Sequence, residues 1–187
     1  MRAPIQHFWR SPRQLGVALV LFGLQASGPN LVSQDDELSI RAAYLFNLTK
    51  YVDWPPSQKR IVVVVVGDDS TAAVIRQLLN NKVTDGRPLQ IVVHPSDSDL
   101  RSCDIVYFGR PASSAAQAVL EKLNGMRCIT VGDDHRFVRE GGMIALVRSG
   151  DQIQVFVNVD ATHREGVELS SRLLNLAVLV HSSRKSH

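Results

Sequence analysis

The segment that decides the fold is Ile61–Asp69, IVVVVVGDD. It opens with six consecutive β-branched residues, which favour a strand. A strand with one solvated face would alternate apolar and polar residues, whereas this strand is apolar on both faces, as strands are in the middle of a parallel sheet. The segment therefore predicts an α/β fold organised around a buried sheet.

The residues that follow alternate between helical and strand-like patterns, as βαβ units do. The predicted order is a helix over Thr71–Asn80, strands over Leu89–Val93 and Ile105–Phe108, a helix over Ser113–Leu123 and a strand over Cys128–Val131. This order predicts a mostly parallel sheet with flanking helices.

The pattern changes near the C-terminus. Two strand-like runs, Met143–Val147 and Ile153–Asn158, are separated by RSGDQ, which has the chemistry of a hairpin turn. We expect an antiparallel hairpin there. After the hairpin we expect a short helix capped by Asp160 and a terminal helix from Ser170 or Ser171 to about Val180.

A helix is also predicted over Asp35–Tyr51, because signals for both of its ends are present. Ser33 and Asp36 can form a capping box at its start. Pro55 and Pro56 prevent its continuation.

The N-terminus has the order of features found in signal peptides. Arginines precede an uncharged apolar run, Leu15–Leu24, and small residues follow at Ala26, Ser27 and Gly28. The run is too short for a membrane-spanning helix, which needs roughly 20 residues. We expect a signal peptide over residues 1–28, with cleavage as late as residue 33, export to the periplasm and a single mature domain over 35–182. The alternative is a slightly apolar leader on a cytosolic protein.

Export changes the meaning of the charge. The whole chain has a net charge of +3 and a pI of about 9.1. Residues 1–28 hold three arginines and no acidic residue, so the 21 basic residues fall to 18, equal to the 18 acidic residues. A neutral mature chain without a basic stripe gives no reason to expect nucleic acid as a partner.

Cys103 and Cys128 are the two cysteines of the chain. An even count in an oxidising compartment favours a disulfide. One cysteine precedes a predicted strand and the other begins the next, so a right-handed βαβ unit places both near the N-terminal edge of the sheet. Strands about 5 Å apart suit disulfide geometry. We expect a structural disulfide, and the alternative is two buried thiols that do not meet.

A repeated Gly-Asp-Asp is the main lead to a ligand or metal site. Asp68 and Asp69 follow one predicted strand, and Asp133 and Asp134 follow another. Open α/β folds bind ligands at this edge of the sheet, and carboxylate oxygens bind Mg²⁺ or Ca²⁺. The four aspartates are therefore ligand or cation candidates. We favour the alternative that they cap helices and turns, as aspartates after strands commonly do.

Established catalytic and cofactor motifs are absent from the sequence. There is no GxSxG, GxGxxG, P-loop or HExxH, and the histidines lack the spacing of metal ligands. We therefore predict no catalytic residue, no metal site and no cofactor.

Four residues on the first helix and just beyond it are partner-binding candidates, namely Tyr44, Asn47, Lys50 and Trp54. Tyrosine and tryptophan are enriched at protein interfaces. The alternative is that both aromatic side chains pack in the core while Asn47 and Lys50 are satisfied locally.

The segment Leu45–Pro55, LFNLTKYVDWP, resembles the N-terminal motif of the YfiR/HmsC-like family. The resemblance continues in order over about Asp35–Val180, through the segments CDIVYF, ITVGD, FVREGGMI, FVNVD and GVELSSRLL. The ordered set WP, VGD, GGMI, N-x-D and SSRLL is fairly specific.

The resemblance implies a small periplasmic regulator that is not an enzyme. It would bind the periplasmic sensory domain of an inner-membrane diguanylate cyclase and repress it, which lowers cyclic-di-GMP and biofilm formation. A second implied partner is an outer-membrane lipoprotein that sequesters the regulator. Some members carry two cysteine pairs and this chain has one, which places a redox-sensing role in doubt.

The alternative function is a periplasmic small-ligand-binding domain that reports to a membrane signalling protein. A pocket between the two Gly-Asp-Asp segments would favour it. The sequence leaves open whether the chain forms a homodimer.

Overall fold

The computed structural model of the protein describes residues 34–93, 95–109 and 113–182. The predicted signal peptide and Ser33 lie outside the described residues. In chain order the elements are α1 (Gln34–Leu48), β1 (Ile61–Val66), α2 (Asp69–Leu79), β2 (Val83–Thr84), β3 (Arg87–Val93), α3 (Asp97–Arg101), β4 (Ile105–Phe108), α4 (Ser113–Leu123), β5 (Ile129–Gly132), α5 (His135–Arg139), β6 (Ile144–Ser149), β7 (Gln152–Asn158), α6 (Val159–Arg164), α7 (Ser171–Leu176) and β8 (Val178–Val180).

Within the described residues, eight strands form one sheet in the order β2-β3-β1-β4-β5-β6-β7-β8. The central pairs β3–β1, β1–β4, β4–β5 and β5–β6 are parallel. The pair β6–β7 is the antiparallel hairpin, and β8 returns parallel to β7. The predicted α/β fold, a mostly parallel sheet with flanking helices and a C-terminal antiparallel hairpin, is confirmed.

Strand β1 has the predicted bounds and is buried on both faces because helices cover both sides of the sheet. Ile61, Val63 and Val65 belong to a core that includes residues of α1 and α2. Val64 points to the opposite face and belongs to a second core with residues of α3, α4 and α5. The uninterrupted apolar run is therefore explained by burial in the middle of the sheet.

Helix α1 covers one face of the sheet with Ala42, Leu45 and Leu48. A short 3-10 turn, Thr49–Tyr51, continues it, so the predicted helical region was nearly correct.

The C-terminal helix is shorter than predicted. α7 starts after Ser170, which caps it, and ends at Leu176. Val178–Val180 then forms β8 and pairs with Phe156–Asn158 of β7. A short apolar run suits a helix and a strand equally well, so pairing with the open edge of β7 accounts for the strand.

The cap of α6 is Asn158, and the prediction of Asp160 was wrong. The Oδ1 atom of Asn158 accepts a hydrogen bond from the backbone N–H of Ala161 at 3.0 Å. Asp160 lies inside the first turn and accepts a bond from the N–H of Ser182 at 2.9 Å. The buried C-terminal end of β7 thus supplies the cap directly.

Two glycines allow the ring of Phe137 to pack against the sheet edge. A Cβ atom at Gly132 would lie 2.5 Å from Phe137 Cγ, and one at Gly142 would lie 2.1 Å from Phe137 Cε1. Both distances are far below van der Waals contact, so side chains at these positions would displace the ring.

Candidate functional site

Three of the four partner-binding candidates line one open groove. Tyr44, Asn47 and Lys50 line a groove of about 700 Å³. Residues of β7 and α7, among them Gln152 and Leu176, contribute most of the remaining lining. The structure therefore brings together polar, aromatic and aliphatic side chains that are far apart in the sequence.

Lys50 gives this groove a positive charge. Its Nζ atom donates a hydrogen bond to Asn47 Oδ1 at 3.0 Å and lies 4.7 Å from the centre of the Phe46 ring. The other described residues that line the groove are uncharged. An ammonium group has three N–H donors and Asn47 accepts one of these bonds, so a ligand or partner carrying a carboxylate would match the groove.

Trp54 lies apart from the groove. Its indole N–H donates a hydrogen bond to the carbonyl of Thr49 at 2.7 Å. The side chain lines a smaller cavity of about 170 Å³ together with Asp104 and Arg127, among other residues. Trp54 is half-buried and packs against the core shortly after the end of the first helical segment.

Two of the four aspartates cap helices. Asp68 Oδ1 accepts a bond from the N–H of Thr71 at 2.7 Å, and this bond lowers the pKa of Asp68. Asp134 Oδ1 accepts a bond from the N–H of Arg136 at 2.7 Å. Burial alone would raise the pKa of Asp134, but the hydrogen bonds and the charge of Arg136 outweigh burial and lower it.

The two Gly-Asp-Asp segments do not form a common metal site. β4 lies between β1 and β5, so it separates the carboxylates that follow those two strands. Asp69 lines a cavity beside α2 and β3. Within residues 34–93, 95–109 and 113–182, no group of three or more His, Cys, Asp or Glu side chains is arranged to hold a metal ion.

Asp133, the remaining aspartate, belongs to a buried charge cluster centred on Arg41. Arg41 is 1% exposed, and its Nη1 atom lies 3.1 Å from Asp133 Oδ1. Asp133 Oδ1 also accepts a hydrogen bond from the hydroxyl of Tyr107 at 2.8 Å. On its other side, Arg41 Nη2 contacts Glu37 Oε1 at 2.5 Å, and Arg41 also donates to the carbonyl of Leu146.

The cluster stabilises the charged form of its arginine and the neutral form of its tyrosine. Burial alone would lower the pKa of Arg41, but Asp133 and Glu37 outweigh burial and raise it. Burial, and then the nearby charge of Asp133, raises the pKa of Tyr107 well above its ordinary value. These groups satisfy one another, so the arrangement joins α1 to the carboxyl edge of the sheet.

Sequence reasoning missed the cluster, although one signal was present. Leu38, Ala42, Leu45 and Leu48 repeat at helical spacing and mark the buried face of α1. Arg41 lies on the same stripe, and a charged residue on an apolar stripe needs a buried partner. The identity of that partner depends on the order of the strands, which the helix does not reveal.

The structure brings the two cysteines into contact. Cys103 and Cys128 precede the neighbouring strands β4 and β5, and their sulfur atoms are 2.7 Å apart. Both are buried free thiols in the structure. The hydrogen bond to Cys103, together with burial, raises the pKa of the Cys128 thiol. The geometry suits a disulfide at the N-terminal edge of the sheet, and the bond itself stays a prediction.

A family model described as YfiR/HmsC-like matches residues 38–178. The chain belongs to the YfiR/HmsC-like family. The match includes most of α1, nearly all of the sheet and α7, so the resemblance that the ordered motifs indicated is confirmed. This family is one of periplasmic regulators of diguanylate cyclases and is not catalytic.

Solved structures show the same fold at low sequence identity. A conserved domain protein from Vibrio cholerae O1 biovar El Tor str. N16961 is 13% identical over 74% of this chain, with a TM-score of 0.54. An ABC domain from Streptococcus pneumonia, solved in complex with L-Trp, is 11% identical over 74% of this chain, with a TM-score of 0.52. This YfiR/HmsC-like chain covers 59% and 60% of the lengths of those two chains. No functionally curated protein matches it.

Among the described residues of this YfiR/HmsC-like protein, no helix has the length and hydrophobicity of a transmembrane span.

Proposed function

We propose that this chain is a periplasmic repressor of an inner-membrane diguanylate cyclase. The family match over residues 38–178 carries the proposal. In this proposal the leader, residues 1–28 or as far as 33, is removed on export, and residues 35–182 form one mature domain. The mature chain binds the sensory domain of the cyclase and lowers cyclic-di-GMP and biofilm formation. An outer-membrane lipoprotein that sequesters the chain would release the cyclase.

Repression by binding requires a difference in affinity between two states of the cyclase. A partner shifts a conformational equilibrium only by the ratio of its affinities for the two conformations. Moving a cyclase from 99% active to 99% inactive takes a preference of roughly 10⁴-fold for the inactive conformation. A surface with several simultaneous contacts, such as the groove beside α1, suits such a preference better than one charged residue does.

The arrangement of polar groups supports binding rather than catalysis. Arg41, Asp133 and Tyr107 are buried and bonded to one another, and Asp68 and Asp134 cap helices. Exposed polar side chains line the open groove instead.

The alternative of a small-ligand sensor has less support. Its expected pocket between the two Gly-Asp-Asp segments would need Asp133 to be accessible. Asp133 is 7% exposed and paired with Arg41.

The test is the level of cyclic-di-GMP in a strain that lacks this chain, with and without the membrane diguanylate cyclase encoded beside it. We expect a rise that disappears when the cyclase is also deleted. The full chain should restore the low level, whereas a chain that begins at residue 29 should not, because it stays in the cytoplasm. An unchanged level, or a rise that survives deletion of the cyclase, would contradict the proposal.

A further inference from the structure

We infer that the outer edge of β7 at Gln152–Val155 is the docking site for an extended segment of the cyclase's periplasmic domain, which adds a strand to the sheet there. The partner rests on the proposed function, whereas the site rests on the features of β7 described below. The expected segment carries an apolar side chain that contacts Leu176 and an acidic side chain that contacts Lys50.

The first observation is an incomplete sheet edge. β6 pairs with β7 from Gln152 to Val157. On the other side, β8 pairs only with Phe156–Asn158. Among the described residues, no strand lies beside the outer edge of Gln152–Val155. In an antiparallel strand alternate residues direct both N–H and C=O away from the partner, so about two of these four residues present unpaired groups outward.

The second observation is the position of the 700 Å³ groove along that edge. Its lining includes all four consecutive residues Gln152, Ile153, Gln154 and Val155. Successive side chains of a strand point to opposite faces of the sheet. A groove that touches four in succession therefore runs along the strand's edge, where an added strand would lie.

β8 does not cover the outer edge of Gln152–Val155, because its pairing with β7 begins only at Phe156. α7 ends at Leu176, whose side chain is 74% exposed, and pairing starts only at Val178. Val178 and Leu179 are 37% and 48% exposed, so β8 also presents apolar side chains to solvent. Exposed apolar side chains beside an open sheet edge are typical of strand-addition sites.

The charge of the groove selects the chemistry of the added segment. Lys50 is the charged residue among the described lining residues, and no carboxylate lies among them. A carboxylate on the incoming segment would therefore gain an attractive contact without a competing repulsion. Backbone hydrogen bonds would supply affinity, and the contacts with Lys50 and Leu176 would supply specificity.

The shape of the groove favours a segment of another protein over a second copy of this chain. Helices α1 and α7 both line the groove, and both pack on the same face of the sheet beside this edge. Two copies that brought these edges together would also bring their flanking helices together, whereas a single extended segment needs only the width of one strand, about 5 Å.

The test measures binding of the full mature chain to the periplasmic domain of the neighbouring cyclase, together with hydrogen–deuterium exchange of the backbone amides. We expect binding to slow exchange at least tenfold at the outward-facing amides of Gln152–Val155. Lys50→Glu and Leu176→Asp should each weaken binding about tenfold or more. Lys59→Glu and Val83→Asp are the matched controls, because Lys59 is exposed outside the groove and Val83 is 56% exposed on the opposite edge strand. Neither control should change affinity.

Each outcome decides the inference. Tight binding that leaves these amides unprotected and the Lys50 and Leu176 variants unaffected would overturn the site while the repressor function stands. Absence of binding, together with an unchanged cyclic-di-GMP level in the deletion strain, would overturn both. Protection of the same amides that grows with protein concentration and needs no cyclase would assign the edge to a second copy and overturn the inferred partner.

Discussion

Replacing Arg41 by methionine should unfold the protein at much lower denaturant concentration. Arg41 is 1% exposed, and the side chain of its partner Asp133 is 6% exposed. Methionine retains much of the apolar stem but leaves the Asp133 carboxylate buried, with Tyr107 as a hydrogen-bond donor. Breaking a buried ion pair by removing one partner costs about 3–5 kcal/mol. Total stabilities are commonly about 5–15 kcal/mol, so this loss is a large fraction.

A double-mutant cycle separates the ion pair from other effects of the substitution. Asp133→Asn alone should lower the free energy of unfolding less than Arg41→Met does. The arginine then still has Glu37 as a partner, with Arg41 Nη2 2.5 Å from Glu37 Oε1. The double variant should lose less free energy than the two single losses added together, by about 1 kcal/mol or more, because the two side chains are in direct contact.

The assay is urea unfolding followed by circular dichroism, with a thermal melt of the same variants. A loss of 3–5 kcal/mol corresponds to a fall in Tm on the order of 10 °C for a domain of this size. Lys122→Met is the control, because Lys122 also forms an ion pair, at 2.8 Å with Asp97, but on the surface. An Arg41→Met variant as stable as the control, or single losses that simply add, would refute the reasoning.

Three further predictions concern Gly132, Asp104 and the two cysteines. Gly132→Ala should lower the free energy of unfolding by about 1–3 kcal/mol, because the new Cβ overpacks the site. Gly67→Ala should lower it less, because its new Cβ would meet atoms only at 3.6 Å. Urea unfolding of both variants checks this, and equal losses would contradict it. Burial raises the pKa of Asp104, so its folded form binds a proton more readily than its unfolded form and stability falls as pH rises above the ordinary aspartate value of about 3.9. Asp104→Asn should therefore stabilise the protein at pH 7 and give no gain below that value, and a gain of equal size at pH 3 would argue against this cause. Mass spectrometry of exported protein should show Cys103 and Cys128 without their two thiol hydrogens, and full alkylation without prior reduction would exclude the disulfide.

The sheet was predictable where burial imposes one pattern on the sequence. The uninterrupted β-branched run Ile61–Val66 and the apolar run Ile105–Phe108 match strands buried on both faces, and the hairpin runs are marked by the turn between them. Val178–Val180 was predicted as helix because a short apolar run leaves its conformation to its neighbours, here the open end of β7.

The candidate site was predictable only in part because it depends on the packing of distant elements. The positions of Tyr44, Asn47 and Lys50 in one predicted helix indicated a shared surface, but the sequence does not show that β7 also lines the groove. Likewise, the sequence of VGDD gives both aspartates the same chemistry. Their roles diverge because alternation along β5 directs Asp133 toward Arg41, whereas Asp134 starts α5.

The packing of Phe137 against Gly132 and Gly142 has an evolutionary consequence. The ring occupies the space of two missing Cβ atoms, so a substitution at either glycine is harmful until position 137 also becomes small. A smaller residue at 137 would in turn leave a void that the glycines cannot fill. The three positions should therefore change together among related sequences, and an aromatic residue at 137 should accompany glycine at both of the others.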